Sequence, residues 1–540
     1  MMQRGVVFLR RCRLSCQIRG NGLRISRGFC EVNDEEIMDR KSYREEREMR
    51  LNNLVEEKNQ PASSVLYPPL PDNPTHTIME YRSQYDHISP GEGVSDSVIL
   101  CGRIYSKRQA SKKLIFFDLG SNGSRVQIMA SLNSYEPTSS GLSFDSLHST
   151  AARGDIVLVY GSPKKSKVGE LSIIPKNITL LSPCYHSIPA YHGFKDTEGR
   201  YRKRYLDLMI NDDVRKRFIL RSKVINMIRK SLEDDGFLEV ETPTLWSDAG
   251  GANATPFTTT LKALDESIPL YLRVAPELFL KMLVVGGIER VYELGKQYRN
   301  EGIDTTHNPE FTSCEFYRAY ADYNYTQQFM ETLLSNMAKE LNGSLQVELP
   351  SGKIADFTVP FKRIDIMSAL EEKIGESLPD PNNDDNQEWS ALCRRLKVSC
   401  PEPRTTARLL DKLIGHYLEP DCVSPTFLVN HPKILSPLAK QHPTKEGLTE
   451  RFELFIDGME LSNGYSELND PEEQMNRFNS QLIAREQGDT EAQPSNKEFV
   501  EALEYGLPPT TGCGIGVDRL VMLFSNVSQI REVICFPLLK

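Results

Sequence analysis

Short apolar runs alternate with polar and glycine-containing clusters between residues 97 and 182. The runs occupy residues 98–102, 114–118, 126–129, 155–160 and 171–174. Their length and their content of β-branched residues are typical of strands, and the clusters between them are typical of turns. The pattern predicts a small closed β-barrel, such as an OB-fold.

A second pattern begins after residue 200. Apolar residues follow helical spacing from Leu220 to Leu232, Gly236 is placed to end that helix in a left-handed conformation, and residues 237–242 alternate as a strand. From there to Lys540, helical and extended segments mix without regular βαβ units. This predicts an α+β domain over residues 201–540, built on an antiparallel sheet flanked by helices. Residues 372–445 carry polar loops and a short helical run, and we interpret them as an insertion.

The segments outside these two domains have their own compositions. Residues 1–30 hold seven arginines and no acidic residue, which is typical of a mitochondrial transit segment, although a basic tail that touches RNA has the same composition. Residues 31–96 predict a solvated Glu/Arg-rich helix followed by a proline-marked linker, and residues 183–200 predict a second linker. No apolar stretch is long enough to predict a membrane span.

The charge of the chain is unevenly distributed. Its 540 residues include 65 Lys and Arg against 74 Asp and Glu, a formal net charge of −9. Residues 97–182 reverse that balance, with eleven Lys and Arg against five acidic residues. Such a basic module suits the phosphate backbone of nucleic acid, although solvated lysines on barrel loops would give the same balance.

Charged and aromatic side chains concentrate between residues 290 and 317. Within this segment, a strand-like pattern gives way to a polar loop and is followed by a second strand-like pattern. We expect a long hairpin in which Arg299 and Glu301, two positions apart, share one strand face, as do Glu315 and Tyr317 on the returning strand. With the loop residue Phe311, the hairpin supplies the cation, the carboxylate and the aromatic ring that a nucleotide such as ATP requires. A structural ion pair between Arg299 and Glu301 is the alternative.

Two acidic residues flank a tight-turn pair further along the chain. Glu453 and Glu460 lie on either side of Asp457-Gly458, a pair favoured in two-residue hairpin turns. The hairpin would place Phe455 opposite Glu460, so that Glu453 is a diagonal neighbour on the same face. Two such carboxylates suit Mg²⁺, which takes one or two carboxylates together with substrate phosphates; solvated edge carboxylates are the alternative.

Residues 512–516 form a glycine-rich stretch before a predicted helix that carries Arg519. The spacing is GxGxG rather than GxGxxG, which argues against a dinucleotide site. Glycines at these positions allow the backbone to approach a ligand closely, and Arg519 could stack on a base or hold a phosphate.

These segments together resemble a known family. The stretches around Pro243, Arg299 and Arg519 are similar to motifs 1, 2 and 3 of class II aminoacyl-tRNA synthetases, in that order. The finer pattern resembles lysyl-tRNA synthetases, namely AGGA at 249–252, APEL at 275–278, RNEG at 299–302 with HNPEF at 307–311, and NGYSELND at 463–470. The resemblance covers roughly residues 43–540.

The resemblance implies a role for each matching position. Its implied ATP-binding set places Arg299 on the α-phosphate, Glu301 on the adenine amine, His307 near the terminal phosphates, Phe311 and Arg519 around adenine, and Glu453 and Glu460 on Mg²⁺. Arg299, Glu301, His307 and Arg519 are the implied catalytic residues. The implied lysine-binding set is Gly250, Glu277, Arg299, Glu315, Tyr317, Asn463, Tyr465 and Glu467. The implied anticodon-reading residues in the barrel are Phe116, Gln127 and Glu170.

The implied activity is lysine–tRNA ligation. L-Lysine and ATP would give lysyl-adenylate and pyrophosphate, and the lysyl group would pass to the 3′ end of tRNA(Lys). The acidic residue types support lysine, because a buried ammonium needs a carboxylate partner, and Glu467 with Glu315 can supply it beside the Tyr317 hydroxyl. Motif 1 implies a homodimer. The basic leader indicates a mitochondrial form, beside or instead of a cytoplasmic form.

Two other functions remain open at this point. The chain could be a catalytically silent paralogue that binds tRNA, although residues such as Arg299, Glu301 and Arg519 are intact. It could also be a related aspartyl- or asparaginyl-tRNA synthetase, because those enzymes share the same layout of a barrel and a catalytic domain.

Overall fold

The computed structural model describes residues 34–189, 194–248, 250–263, 269–381, 386–486, 488 and 496–539. The chain divides into two compact units at residues 193 and 194. The predicted transit segment, residues 1–30, lies outside the described residues. Among the described helices, none combines the length and the apolar character that crossing a membrane requires.

The first unit is built around a closed barrel with the strand order β1-β2-β3-β5-β4. Its elements are α1 (Asp34–Lys58), α2 (Ala62–Leu66), α3 (Ile78–Tyr85), β1 (Val98–Ser111), β2 (Leu114–Ser121), β3 (Ser124–Ser131), α4 (Phe144–Ser149), β4 (Ile156–Lys165) and β5 (Leu171–Ser182). In β2, the side chains of Ile115, Phe117 and Leu119 are buried in the barrel, so the residues between them face outward. The predicted OB-fold barrel is confirmed.

The predicted solvated helix before the barrel is wrong in one respect, because α1 belongs to the barrel's core. Leu51 and Leu54 are each 1% exposed and join the same apolar cluster as the strands. Arg47 is buried, and its Nη2 atom lies 2.7 Å from Oδ1 of Asp155, which precedes β4. The Glu/Arg-rich composition hid a narrow buried stripe that fixes the helix to the barrel.

The second unit contains the remaining helices and strands. The helices are α5 (Thr197–Arg202), α6 (Arg204–Ile210), α7 (Asp212–Asp234), α8 (Glu277–Val285), α9 (Tyr323–Asn342), α10 (Ile366–Ile374), α11 (Gln387–Leu396), α12 (Thr406–Tyr417), α13 (Pro471–Glu486), α14 (Lys497–Glu504) and α15 (Val517–Phe524). The strands are β6 (Leu238–Glu239), β7 (Leu245–Trp246), β8 (Thr258–Thr259), β9 (Leu270–Leu272), β10 (Arg290–Tyr298), β11 (Glu310–Ala319), β12 (Gln346–Glu348), β13 (Ile354–Asp356), β14 (Lys362–Asp365), β15 (Thr426–Val429), β16 (Arg451–Ile456), β17 (Met459–Ser466) and β18 (Thr510–Gly516).

Eight of the described strands form the main sheet, in the order β14-β15-β16-β17-β18-β11-β10-β6. The pairs β14/β15 and β6/β10 are parallel and the other neighbours are antiparallel. Residues of α7, α9 and α15 pack with the sheet in the largest apolar cluster, in which Val224, Ile228 and Leu232 are fully buried. The α+β fold class is thus confirmed. Gly236, which follows α7, has φ +80°, so the predicted left-handed conformation at the end of this helix is also confirmed.

Two details differ from the sequence-based expectation. The strand expected over residues 237–242 is reduced to β6, because only Leu238 and Glu239 pair with β10. The interval interpreted as an insertion contains β15, a strand of the main sheet, whereas helices α10, α11 and α12 form an apolar cluster of their own.

The hairpin of β16 and β17 contains one extra residue. Asp457 and Gly458 both have positive φ, 56° and 69°, as a two-residue hairpin turn requires. Phe455 lies opposite Glu460 as predicted, but Glu453 pairs with Asn463, because a β-bulge interrupts the register after Leu454. The bulge therefore changes which residues of β17 face the same side as Glu453.

Candidate active site

A cavity of about 400 Å³ opens over the centre of the main sheet of the second unit. Strands β10, β11, β16, β17 and β18 supply much of its lining. Of the residues singled out in the sequence, it brings together Glu277, Arg299, Glu301, His307, Phe311, Glu315, Tyr317, Glu453, Glu460, Asn463, Tyr465 and Arg519. Gly250 and Glu467 do not line this cavity, although Gly251 does. Residues distant in sequence thus converge on one space.

Arg299 and Glu301 lie in the loop after β10 and not on a strand face, which corrects the expected alternation. Phe311, expected in the loop, is instead the second residue of β11, where it pairs with Gln297. The backbone N–H of Arg299 donates to the carbonyl of Pro309 at 2.9 Å, and this bond holds the two sides of the loop together. The guanidinium carbon of Arg299 lies 5.1 Å from the centre of the Phe311 ring. Within the described residues the buried Nε of Arg299 has no hydrogen-bond partner, so the guanidinium keeps an unsatisfied donor.

His307 and Arg519 meet at the outer side of the cavity. Nη2 of Arg519 lies 3.1 Å from Nε2 of His307, and Nδ1 of His307 lies 2.9 Å from the carboxylate of Asp304. A guanidinium can only donate, so Nε2 accepts and Nδ1 carries the proton toward Asp304. Burial opposes ionisation of Asp304, but the backbone N–H of Thr306 and the ring of His307 lower its pKa. Sequence reasoning missed Asp304, whose spacing of three residues before His307 was the available signal.

The acidic pair Glu453 and Glu460 faces the same cavity from the two strands of the bulged hairpin. Nη2 of Arg451 lies 2.5 Å from one oxygen of Glu453, and Nε2 of His431 lies 3.3 Å from the other. Burial opposes ionisation of Glu453, but Arg451 and His431 outweigh it and lower its pKa. Sequence reasoning missed both Arg451 and His431. Arg451 shares the strand face of Glu453 and was detectable by period-two spacing, whereas His431 lies on a separate segment.

Two carboxylates and two tyrosines form the opposite end of the cavity. The Tyr317 hydroxyl donates to Oε2 of Glu315 at 3.1 Å, and the Tyr465 hydroxyl donates to Oε1 of Glu277 at 2.5 Å. Burial, with the nearby charge of Glu277, raises the pKa of Glu315 to about 8. Burial also raises the pKa of both tyrosines well above the ordinary value. This end therefore offers carboxylates in a poorly solvated setting, where a cation is the matching ligand.

Glu467 lies directly behind this acidic end. Glu467 is 1% exposed. Its Oε1 atom adjoins Gly512, a residue of the cavity wall, so closely that a Cβ added to Gly512 would collide with it. Its Oε2 atom lies 2.6 Å from Nζ of Lys281 in α8. Lys281 was missed in the sequence, although a lysine four residues after Glu277 in an apolar helix is an unusual position for a charge.

A family model described as "tRNA synthetases class II (D, K and N)" matches residues 196–540. Lysine–tRNA ligase cla4 of Cladosporium cladosporioides is 45% identical over 523 residues, which are 94% of this chain and 86% of that protein. The chain belongs to the lysine–tRNA ligase family of class II tRNA synthetases. Bacterial relatives extend the similarity: the lysine–tRNA ligases of Halalkalibacterium halodurans and Thermotoga maritima are 42% and 44% identical, each over 86% of this chain and at least 90% of their own length.

The chain is therefore an aminoacyl-tRNA ligase of a class that uses ATP, and the sequence-based expectation of family and activity is confirmed. The barrel agrees with this membership, because a model described as "OB-fold nucleic acid binding domain" matches residues 98–181.

The barrel residues singled out in the sequence lie on its outer surface. Phe116 is half-buried, and the guanidinium carbon of Arg108 lies 4.9 Å from the centre of its ring. Gln127 lies on the next strand, opposite Asp118, and its side-chain oxygen accepts a hydrogen bond from Ser172 at 3.1 Å. Glu170 is exposed at the start of β5. An aromatic ring, an amide and a carboxylate are therefore presented by neighbouring strands β2, β3 and β5.

Proposed function

We propose that this synthetase activates L-lysine with ATP to lysyl-adenylate and pyrophosphate, and then transfers the lysyl group to the 3′ end of tRNA(Lys). The acidic end of the cavity carries this proposal, because Glu277 and Glu315 line it and Glu467 lies directly behind it. The charges of all three carboxylates act on the Tyr317 hydroxyl and help to raise its pKa. A lysine presents two ammonium groups, and a poorly solvated ammonium needs carboxylate partners. An aspartate side chain would be repelled there, which disfavours an aspartyl-type substrate.

Arg299 supports the orientation of both reactants. It lines the same cavity as Glu315 and the His307–Arg519 pair, and its planar guanidinium suits a carboxylate and a phosphate. The lysine carboxylate would attack the α-phosphorus of ATP, and pyrophosphate would leave. The terminal hydroxyl of the tRNA would then attack the adenylate carbonyl, and AMP would leave. Both steps depend on positioning and charge neutralisation, and neither needs a nucleophile from the protein.

The loop after β10, the first residues of β11 and the start of α15 would bind the adenosine and the outer phosphates. Phe311 and Arg519 offer a ring and a planar cation for the two faces of adenine, and Glu301 offers an acceptor for its amine. Phe311 already stacks near the guanidinium of Arg299, so the base would lie beside the arginine that binds the α-phosphate. His307, oriented by Asp304, would reach the terminal phosphates.

Glu453 and Glu460 would hold Mg²⁺. Glu453 is ionised, and Arg451 and His431 each contact one of its oxygens, which leaves lone pairs for a cation. The described residues contain no group of three or more metal-ligating side chains, which suits an ion that takes most of its ligands from phosphate and water. When bound, Mg²⁺ would neutralise charge on the phosphates and orient them.

The remaining assignments concern tRNA and assembly. Phe116, Gln127 and Glu170 would read unpaired anticodon bases by stacking and by edge hydrogen bonds. We also propose a homodimer through the region of motif 1, where Leu238, Leu245 and Trp246 are 53%, 39% and 37% exposed. Large apolar side chains exposed together are typical of a protein interface.

For the leader we propose import into mitochondria. Deleting residues 1–30 from a fluorescent fusion should abolish a mitochondrial signal, and an unchanged signal would contradict the proposal.

Pyrophosphate exchange into ATP, measured separately with each of the twenty amino acids, tests the central proposal. A signal with lysine alone is the expected result. A signal with aspartate or asparagine would favour the related synthetases, and no signal with any amino acid would favour a silent tRNA-binding paralogue.

A further inference from the structure

A buried ammonium lies directly behind the acidic end of the cavity. Lys281 follows Glu277 by one helical turn in α8, and its side chain is 0% exposed. Its Nζ atom lies 2.7 Å from Oε1 of Glu277 and 2.6 Å from Oε2 of Glu467. The ring centres of Phe499 and Tyr465 are 5.4 Å and 5.7 Å from Nζ. Two carboxylates and two aromatic rings therefore enclose this ammonium.

Lys281 is charged in this setting. Burial opposes the charge, but Glu277 and Glu467 outweigh it and raise the pKa of Lys281 above its ordinary value. The ammonium lies between two carboxylates that would otherwise repel each other, and it attracts both. Burial raises the pKa of Glu467, and the charge of Lys281 opposes that rise.

The contacts of Lys281 use only part of each carboxylate. On Glu277, Oε1 contacts Lys281 and the Tyr465 hydroxyl, which leaves Oε2 for a ligand. On Glu467, Oε2 contacts Lys281, whereas Oε1 adjoins the missing Cβ of Gly512, a residue of the cavity wall. Lys281 therefore holds both carboxylates from behind, and a further cation can approach them from the cavity.

The charges at this end of the cavity match a substrate with two ammonium groups. Glu277, Glu315 and Glu467 carry three negative charges when ionised, and Lys281 cancels one of them. The two that remain equal the α- and ε-ammonium groups of lysine, and the lysine carboxylate would pair with Arg299. Because an unpaired buried charge is strongly unfavourable, this balance selects against amino acids with one ammonium group.

We propose that Lys281 is a positioning residue for amino-acid recognition, which fixes Glu277 and Glu467 and sets the charge of the cavity to accept two ammonium groups. The inference rests on the proposed activation of lysine. Without the charge of Lys281, three carboxylates would face two substrate ammonium groups. One carboxyl group would then take up a proton or turn away, and lysine binding would weaken while ATP binding would not.

Two substitutions separate charge from shape. Lys281→Gln keeps a hydrogen-bond donor between the two carboxylates but removes the charge, and Lys281→Arg keeps the charge. In lysine-dependent pyrophosphate exchange, we expect Lys281→Gln to raise the KM for lysine by about 30-fold or more and to change the KM for ATP by less than about twofold. Lys281→Arg should retain more of the affinity for lysine than Lys281→Gln does. Lys339→Met, at an exposed position of α9, is the control and should match the unmodified enzyme.

The outcomes are distinct. A lysine KM that is unchanged in Lys281→Gln would overturn the role, and so would an equal loss of affinity for lysine and ATP, which indicates a merely structural contribution. If Lys281→Gln does not fold, thermal unfolding of Lys281→Arg decides: stabilisation by added lysine supports the role, and no stabilisation overturns it. Failure of the unmodified enzyme to exchange with lysine would instead overturn the proposed function, and this inference with it.

Discussion

Nε2 of His307 lies 3.1 Å from the guanidinium of Arg519, although the two residues are 212 positions apart. The contact joins the loop after β10 to the first turn of α15 and closes the outer side of the cavity. Asp304 extends it on the other side of the imidazole ring, so that a carboxylate, an imidazole and a guanidinium form one chain of hydrogen bonds.

These hydrogen bonds predict energetic coupling between His307 and Arg519 in ATP binding. Arg519→Ala should raise the KM for ATP by about 30-fold or more, because it removes both a stacking partner of the base and the support of His307. His307→Ala alone should have a smaller effect, and the double variant should be less impaired than the product of the two single effects. Exchange kinetics at saturating lysine measure all three variants, and strictly multiplicative effects would contradict the coupling.

Arg299 should be indispensable for activation. Arg299→Ala should lower lysine-dependent pyrophosphate exchange by at least about 100-fold, because it removes the cation that the lysine carboxylate and the α-phosphate share. Arg299→Lys should recover only part of the activity, since an ammonium lacks the planar fork. Near-normal exchange in the alanine variant would refute the assigned role.

The pKa of Glu315, raised to about 8, predicts a pH dependence of lysine binding. Below that value the carboxyl group is protonated in the free enzyme, and an ammonium favours the ionised form, so binding releases a proton. The dissociation constant for lysine should therefore fall as pH rises, by about tenfold or more between pH 6 and pH 8. Calorimetry in two buffers of different ionisation enthalpy measures the released proton. Glu315→Gln should reduce the release, and Glu467, whose pKa burial also raises to about 8, remains as a second source.

Gly512 and Gly514 provide a matched pair on one strand. A Cβ at Gly512 would collide with Tyr317 and with Oε1 of Glu467, whereas a Cβ at Gly514 would lie 3.6 Å from its nearest neighbour, Cγ of Glu315, an ordinary contact. Gly512→Ala should weaken lysine binding by about tenfold or more, because the obstructing groups are the recognition groups themselves. Gly514→Ala should stay within about fivefold of the unmodified enzyme. Equal KM values for lysine in the two variants would contradict a role of Glu467 in lysine binding.

The barrel should matter for tRNA and not for activation. Phe116→Ala should impair aminoacylation of tRNA(Lys) by about tenfold or more through lost stacking on a base, and leave lysine-dependent exchange unchanged. Leu132→Ala removes an exposed apolar side chain elsewhere on the same unit and serves as the control. A similar loss in exchange would argue against an anticodon role for Phe116.

Local patterns explain why much of the molecule was predictable. Alternation along β2 and the helical spacing of α7 depend on residues close in sequence, and the structure reproduces both. The pairing of Phe455 with Glu460 followed from a two-residue turn for the same reason. The turn chemistry of Asp457-Gly458 alone determines that part of the register.

The unpredicted features depend on residues that are distant in sequence. The buried partner of Arg47 is 108 positions away, so the composition of α1 could not reveal it. Lys281 reaches Glu467 only because α8 packs beside the sheet, and His431 reaches Glu453 from another segment altogether. Such contacts depend on tertiary packing, which spacing in one chain segment does not encode.

The extra residue in β17 has a consequence for how this active site is assembled. Along an uninterrupted strand, Glu460 would share its face with even-numbered residues, and Asn463 and Tyr465 would point to the other side. Because of the bulge, all three line one cavity. The alternation of side chains along β17 therefore changes at the bulge. Glu460, the proposed Mg²⁺ ligand, precedes the change, and Asn463 and Tyr465 of the proposed amino-acid pocket follow it. If the bulge were straightened without the loss of a residue, these two halves of the substrate site would lie on opposite sides of the sheet.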